Sequence, residues 1–160
     1  MKDPYVYDNG TLINKLGIQE YTKLKEAEAD IGFVKLISIE SVEKTSDKIE
    51  LIKRIHKHIF EDIFEWAGEF RTVPIHKTEK YIIPGLSLVY CNPEEINEKL
   101  KDSMNRLNNI KWSSTNLDDL ILQFTKAIVD IWKVHPFRDG NTRSVLSFAC
   151  MYAAEHRIFM

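Results

Sequence analysis

A mostly α-helical fold with one small β excursion follows from three features of this sequence. Five stretches place apolar residues at helical spacing, with lysines and glutamates between them. One stretch, Phe70 to Val89, roughly alternates apolar and polar residues instead, and Pro74, Pro84 and Gly85 interrupt it. No repeat or low-complexity run divides the 160 residues, enough for a single domain with a real core.

The elements follow in order. Asp8-Asn9-Gly10-Thr11 signals a turn within an N-terminal arm, residues 1–17. A helix is expected from about Gln19 to Ser38, with Tyr21, Leu24, Ile31 and Val34 as its apolar residues. Ser41 to Lys48 is a polar connection, and Ser46 or Asp47 caps the next helix. Ile49, Ile52, Ile55, Ile59 and Ile63 mark its inner face, and Gly68 ends it shortly after Trp66. Past the alternating stretch, Asn92-Pro93-Glu94-Glu95 is a compact helix start, with Ile96, Leu100, Met104 and Leu107 following. Asn108-Asn109 and Ser113 to Asn116 form the next loop. Leu117, Leu120, Ile121, Phe124, Ile128, Ile131 and Trp132 then make the strongest apolar stripe. Helical character resumes from Ser144 to Phe159, with Val145, Phe148 and Tyr152 inward.

Composition narrows the function. A hydrophobic fraction of 44% with 29% charged residues is ordinary for a soluble globular protein, and a net charge of −2 argues against wholesale nucleic-acid binding. No apolar run is long enough to span a bilayer, and the first residues lack a secretory pattern. Cys91 and Cys150 lack metal-ligand spacing and read as reduced thiols, one near a loop and one in a helix core. A cytoplasmic protein is expected; export as an effector by a non-cleaved signal stays open, as does oligomeric state.

The chemistry concentrates between His135 and Arg143. If one helix ends near His135 and another starts near Asn141, the free N–H groups of the second helix make an anion site. Gly140 lets the backbone turn tightly. Asp139 is an oxygen ligand suited to Mg²⁺. Arg143, in the first turn, suits further phosphate oxygens, and Asn141 has an amide to donate. His135, with an ordinary pKa of about 6.5, suits a general base. Pro136 and Phe137 fix the loop, Phe137 by burying its ring. Singly, each residue is more often a helix stop or turn former than a catalyst; jointly they point to a nucleotide-phosphate site. Elsewhere, His56 and His58 lie on different helix faces and make no metal pair, while His76, Glu155 and His156 read as surface groups.

His135-Pro136-Phe137-Arg138-Asp139-Gly140-Asn141-Thr142-Arg143 resembles the signature of Fic (filamentation induced by cAMP) proteins of the Fic/Doc superfamily, His-x-Phe-x-Asp/Glu-Gly-Asn-x-Arg. Asn9 to Gly17 resembles the lead-in of many bacterial members, and Trp66 to Val73 resembles the approach to their β-hairpin flap. The resemblance implies a Fic domain over residues 1–160, a helical bundle with a flap near residues 70–90. It implies protein adenylyltransferase activity, moving AMP from Mg²⁺-ATP to a Ser, Thr or Tyr hydroxyl of a target protein. In that pattern His135 deprotonates the hydroxyl and Asp139 holds Mg²⁺. Asn141 and the backbone from Phe137 through Arg138, Gly140 and Thr142 cradle the α-phosphate, and Arg143 grips the β/γ region. Lys77 lines the nucleotide approach. The flap, near Thr72-Val73-Pro74-Ile75-His76 and on to Ile83, docks an extended target segment by strand pairing.

Two departures stand out. Thr142 replaces the commoner Gly, and Leu146 stands where many members carry a second Arg that contacts the γ-phosphate. The family's inhibitory pattern, Ser/Thr-x-x-x-Glu-Gly/Asn, is only partly matched by Thr22 to Ala27 and Ser46 to Leu51, which read as surface patterning. Inhibition is then left to a helix beyond Met160 or to a separate antitoxin, in the manner of toxin–antitoxin pairs. A Doc-like phosphotransferase and a catalytically silent toxin or binding module are the alternatives.

Overall fold

The computed structural model describes residues 3–78, 87–113 and 116–156. Its helices are α1 (Tyr21–Ile37), α2 (Lys48–Phe60), α3 (Ile96–Asn108), α4 (Leu117–Val134) and α5 (Asn141–Glu155). Two short strands, β1 (His76–Thr78) and β2 (Ser87–Val89), pair antiparallel. The predominantly helical class expected from the apolar spacing is the class observed. The chain divides into two compact units: Met1–Glu69 with Asp139–Met160, and Phe70–Arg138.

In the first unit the N-terminal arm folds back on itself. Tyr7 N–H donates to the Thr11 carbonyl at 2.8 Å and Ile13 N–H to Tyr5 at 2.8 Å, with Gly10 at φ 83° making the turn. Lys15 N–H then ties the arm to the Ile63 carbonyl. Helices α1 and α5 both pack on α2. Asp47 is the α2 cap, its carboxylate accepting from the N–H groups of Ile49 and Glu50 at 2.9 and 3.1 Å. From α2 onward Leu51, Ile52, Ile55, Ile59, Phe60, Ile63 and Phe64 are fully buried, and Val145, Phe148 and Tyr152 of α5 join this core. Burial on this scale supplies the main stabilising force, at about 25 cal/mol per Å² of apolar surface.

Three expectations in this unit need correction. Helix α2 stops at Phe60 instead of continuing to Trp66. The rings of Phe64 and Trp66 stack at 4.4 Å, which residues two apart on a helix cannot do, so the chain unwinds into turns that reach Gly68. On α1 the inner residues are Leu24, Glu28 and Gly32, whereas Tyr21 and Val34 are 62% and 65% exposed. The stripe misled because a buried glutamate was counted among solvated ones. Cys150 lies on the exposed side of α5, not in the core.

In the second unit α3 packs on α4. The start of α3 is as expected: Glu95 accepts from the Asn92 N–H at 2.8 Å, and Pro93 opens a single 3₁₀ turn. Ile96, Leu100, Met104 and Leu107 are buried. Asn116 caps α4 by accepting from the Asp119 N–H. The α4 stripe is wider than its buried side: Leu120, Ala127, Ile131 and Val134 are buried, while Leu117 and Ile121 are more than half exposed. Among its described residues the alternating stretch holds the two three-residue strands, in register His76↔Val89, Lys77↔Leu88 and Thr78↔Ser87. Thr72 to Ile75 precede β1 in irregular backbone, with Thr72, Pro74 and His76 exposed. The Lys77 side chain and residues 79–83 of the expected flap lie outside the described residues.

Candidate active site

The loop between α4 and α5 is continuous in sequence, and each half is built by its own unit. Residues His135 to Arg138 belong to the second. His135 terminates α4 in the left-handed conformation, φ 51° and ψ 60°, unusual for any residue but glycine or asparagine. Its ring stacks on Tyr90 with centroids 3.9 Å apart and planes 14° apart, and meets the Trp132 ring edge-on at 5.9 Å. The backbone on either side is held by Arg71, which is 2% exposed. Arg71 Nε donates to the His135 carbonyl at 2.9 Å, and the Arg71 backbone N–H to the Pro136 carbonyl at 2.9 Å. Its other guanidinium nitrogens donate to the carbonyls of Val73 at 3.0 Å and Cys91 at 2.6 Å. One planar cation therefore fixes three backbone segments. Phe137 is fully buried, its ring 5.6 Å from that of Phe70. Arg138 is half-buried.

Residues Asp139 to Arg143 belong to the first unit. Gly140, at φ 76°, precedes α5, and a Cβ at that position would overlap the Phe60 ring; only glycine fits. Helix α5 begins at Asn141, as the anion-site reading requires, with Asn141 buried and Thr142 exposed. Asp139 is ringed by donors: Lys25 Nζ at 2.8 Å on one oxygen, the Gly140 N–H at 2.6 Å on the other. Burial favours its protonated form, yet the Lys25 ammonium, the Gly140 hydrogen bond and the Arg143 charge together hold it below the usual carboxylate value. Lys25 in turn, although burial favours the neutral amine, is raised above the ordinary lysine value by Asp139 and Glu28. Arg143 lies over the Phe60 ring at 4.5 Å and pairs with Glu28 of α1, which Lys25 also contacts at 2.9 Å.

His56, set aside in the sequence, belongs to this half. It is fully buried on α2, its Nδ1 accepting from the Gly68 N–H at 2.8 Å. That bond leaves the proton on Nε2, which donates to the Asp139 carbonyl at 3.1 Å. Burial lowers its pKa to about 3, so it is a neutral backbone clamp at ordinary pH. Lys25, Glu28, Arg71 and Tyr90 were likewise not read as site residues. Leu146, which occupies the place of the second Arg, is exposed on α5.

The donor set suits a divalent cation of the Mg²⁺ type in one limited sense. The Asp139 carboxylate already carries a cation, Lys25, and Mg²⁺ commonly takes one or two carboxylates with the remaining ligands from phosphate and water. Among the described residues there is no cluster of three or more acidic, His or Cys side chains that would hold a metal alone. Nor, among them, is any helix long and apolar enough to cross a membrane. The first turn of α5 thus lies beside the Asp139 and Glu28 carboxylates and the Arg143 guanidinium, continuous in sequence with His135.

The model of the Fic/DOC family matches residues 46–153, and the chain belongs to that family. It is 26% identical over 156 residues to "Protein adenylyltransferase VbhT" of Bartonella schoenbuchensis, covering 96% of this chain and 31% of that protein. Among solved structures it is similar to the BepC effector of Bartonella tribocorum with bound AMPPNP, at 20% identity and a TM-score of 0.79, covering 95% and 77% of the two chains. It also resembles the N-terminal Fic domain of a Bartonella sp. AR 15-3 effector, at 25% identity and a TM-score of 0.74, covering 94% and 72%. The chain thus spans about a third of the length of the curated relative.

Proposed function

We propose that this chain is a protein adenylyltransferase that moves AMP from ATP to a Ser, Thr or Tyr hydroxyl of a target protein. What carries the reading is the complete His135 to Arg143 signature in a Fic/DOC chain, with α5 opening at Asn141 and Gly140 closed against Phe60. The N–H groups of the first turn of α5 and the Asn141 amide would bind the α-phosphate, and Arg143 the β/γ region. Asp139 would hold Mg²⁺, which when bound neutralises phosphate charge. The target hydroxyl oxygen attacks the α-phosphorus while the bond from that phosphorus to the β-bridging oxygen breaks. Pyrophosphate leaves, and the hydroxyl proton passes to His135. Tyr90 and Trp132 would keep the imidazole in position for that transfer. An extended target segment would dock along Thr72–His76, the irregular stretch that leads into β1, and an antitoxin or inhibitory helix would restrain the enzyme. Free thiols at Cys91 and Cys150 suit a reducing cytoplasm, where ATP is plentiful.

The test uses the purified chain, Mg²⁺, cell-extract protein as acceptor, and ATP labelled on either the α- or the γ-phosphate. Label retained from the α-position only is expected. In His135→Ala it should fall by about 10²–10⁴-fold while nucleotide binding persists. Transfer of the γ-label alone would replace the reading with a phosphotransferase.

A further inference from the structure

Helix α1 contributes a slot for Arg143 that the family signature does not contain. Glu28 is 1% exposed and pairs with the guanidinium. One turn on, Gly32 leaves the space beside it, for a Cβ there would stand 3.2 Å from Arg143 Nη1. The Phe60 ring lies under the guanidinium at 4.5 Å. Carboxylate, missing side chain and ring face together set the position of one cation.

We infer that Glu28 is a positioning residue that aims Arg143 at the distal phosphates of the nucleotide. The inference rests on the proposed role of Arg143 and extends it. A carboxylate this buried cannot leave its partners without a large desolvation penalty, so it keeps the guanidinium when a ligand arrives. Arg143 has five N–H donors, and a carboxylate on one edge leaves the other edge for phosphate. Lys25, whose side chain is 35% exposed, is the mobile partner: it bridges Glu28 and Asp139 at 2.9 and 2.8 Å and can swing into solvent when a cation takes the Asp139 oxygen. With Leu146 in place of a second arginine, the grip on the distal phosphates depends all the more on how Arg143 is aimed.

The decisive measurement is the ratio of affinities for AMPCPP, whose α,β-methylene bridge blocks transfer, and AMP, by calorimetry in the presence of Mg²⁺. AMP lacks the phosphates that Arg143 would meet, so a general loss of structure would weaken both ligands together. Glu28→Gln should lower the ratio by about tenfold, the worth of one misplaced charge-assisted hydrogen bond. Gly32→Ala provides a second test that changes no charge and favours the helix, so it folds; it crowds Nη1 and should lower the ratio by a few-fold. An unchanged ratio in both variants overturns the inference, and so does a raised ratio, which would make Glu28 a competitor for phosphate. Arg143→Ala separates the two levels. If it leaves the ratio intact, the phosphate role of Arg143 falls and the inference with it. If it collapses the ratio while Glu28→Gln and Gly32→Ala do not, only the role of Glu28 falls.

Discussion

The two halves of one nine-residue signature are held by different physics. His135 and Pro136 are fixed through their carbonyls by a buried guanidinium and a backbone N–H, and the histidine ring by aromatic faces. Asp139 and Arg143 are fixed by ions, Lys25 and Glu28, on a helix more than a hundred residues earlier in the chain. The first arrangement suits the proton transfer proposed for His135, in which the ring must hold its orientation as it gains charge. The second suits the phosphate and cation contacts proposed for it, because the part-exposed Lys25 can give up the Asp139 oxygen while the buried Glu28 stays on Arg143. Between them His56 and Gly140 give the second half a neutral, rigid backbone despite its charged side chains.

The contrast can be broken first at Arg71. Arg71→Met should remove about 3 kcal/mol or more of stability, since it strands the carbonyls of His135, Val73 and Cys91 in a buried setting. Urea unfolding should show the same loss at low and at molar salt; a loss that shrinks with salt would mean that the clamp is ionic after all. Gly140→Ala should cost about 2 kcal/mol, from the left-handed backbone and the clash with Phe60 together, and should abolish nucleotide binding by calorimetry. Normal binding would show that the turn tolerates a side chain.

Taken per pH unit, the smallest effect is a pH dependence. Unfolded, His56 takes a proton near its ordinary value of about 6.5; folded, burial delays this to about 3. Between those values the unfolded chain binds more protons, so stability falls as pH is lowered through that window and is unaffected by this group above it. The slope approaches about 1.4 kcal/mol per pH unit. Thermal unfolding should show it, and His56→Gln should remove it.

Much of the fold was legible because helix starts and core faces carry local signals. Asp47 and the Asn92–Glu95 start are where side-chain chemistry placed them, as are the inner faces of α3 and α5. The end of α2 was not legible, because stacking of Phe64 on Trp66 is a tertiary event that spacing does not announce. The site shows the same division. The loop's own residues announce themselves by proximity in sequence, and the helix start at Asn141 followed from them. Their supports do not: Glu28 looked like one of many glutamates on a charged helix, and His56 like a lone histidine on an apolar one. A signal was present in both cases. Glu28 lies in phase with Leu24 and Gly32, and His56 is flanked by the buried Ile55 and Ile59. A charge in phase with a core stripe asks for a partner.

One feature of His135 reaches beyond chemistry. Its left-handed backbone is a conformation that glycine or asparagine adopts at less cost. Selection for stability alone would therefore erode this position, replacing the imidazole with a more comfortable residue and, under the proposed mechanism, leaving a well-folded, inert chain. A screen that ranks variants by melting temperature would reward that loss.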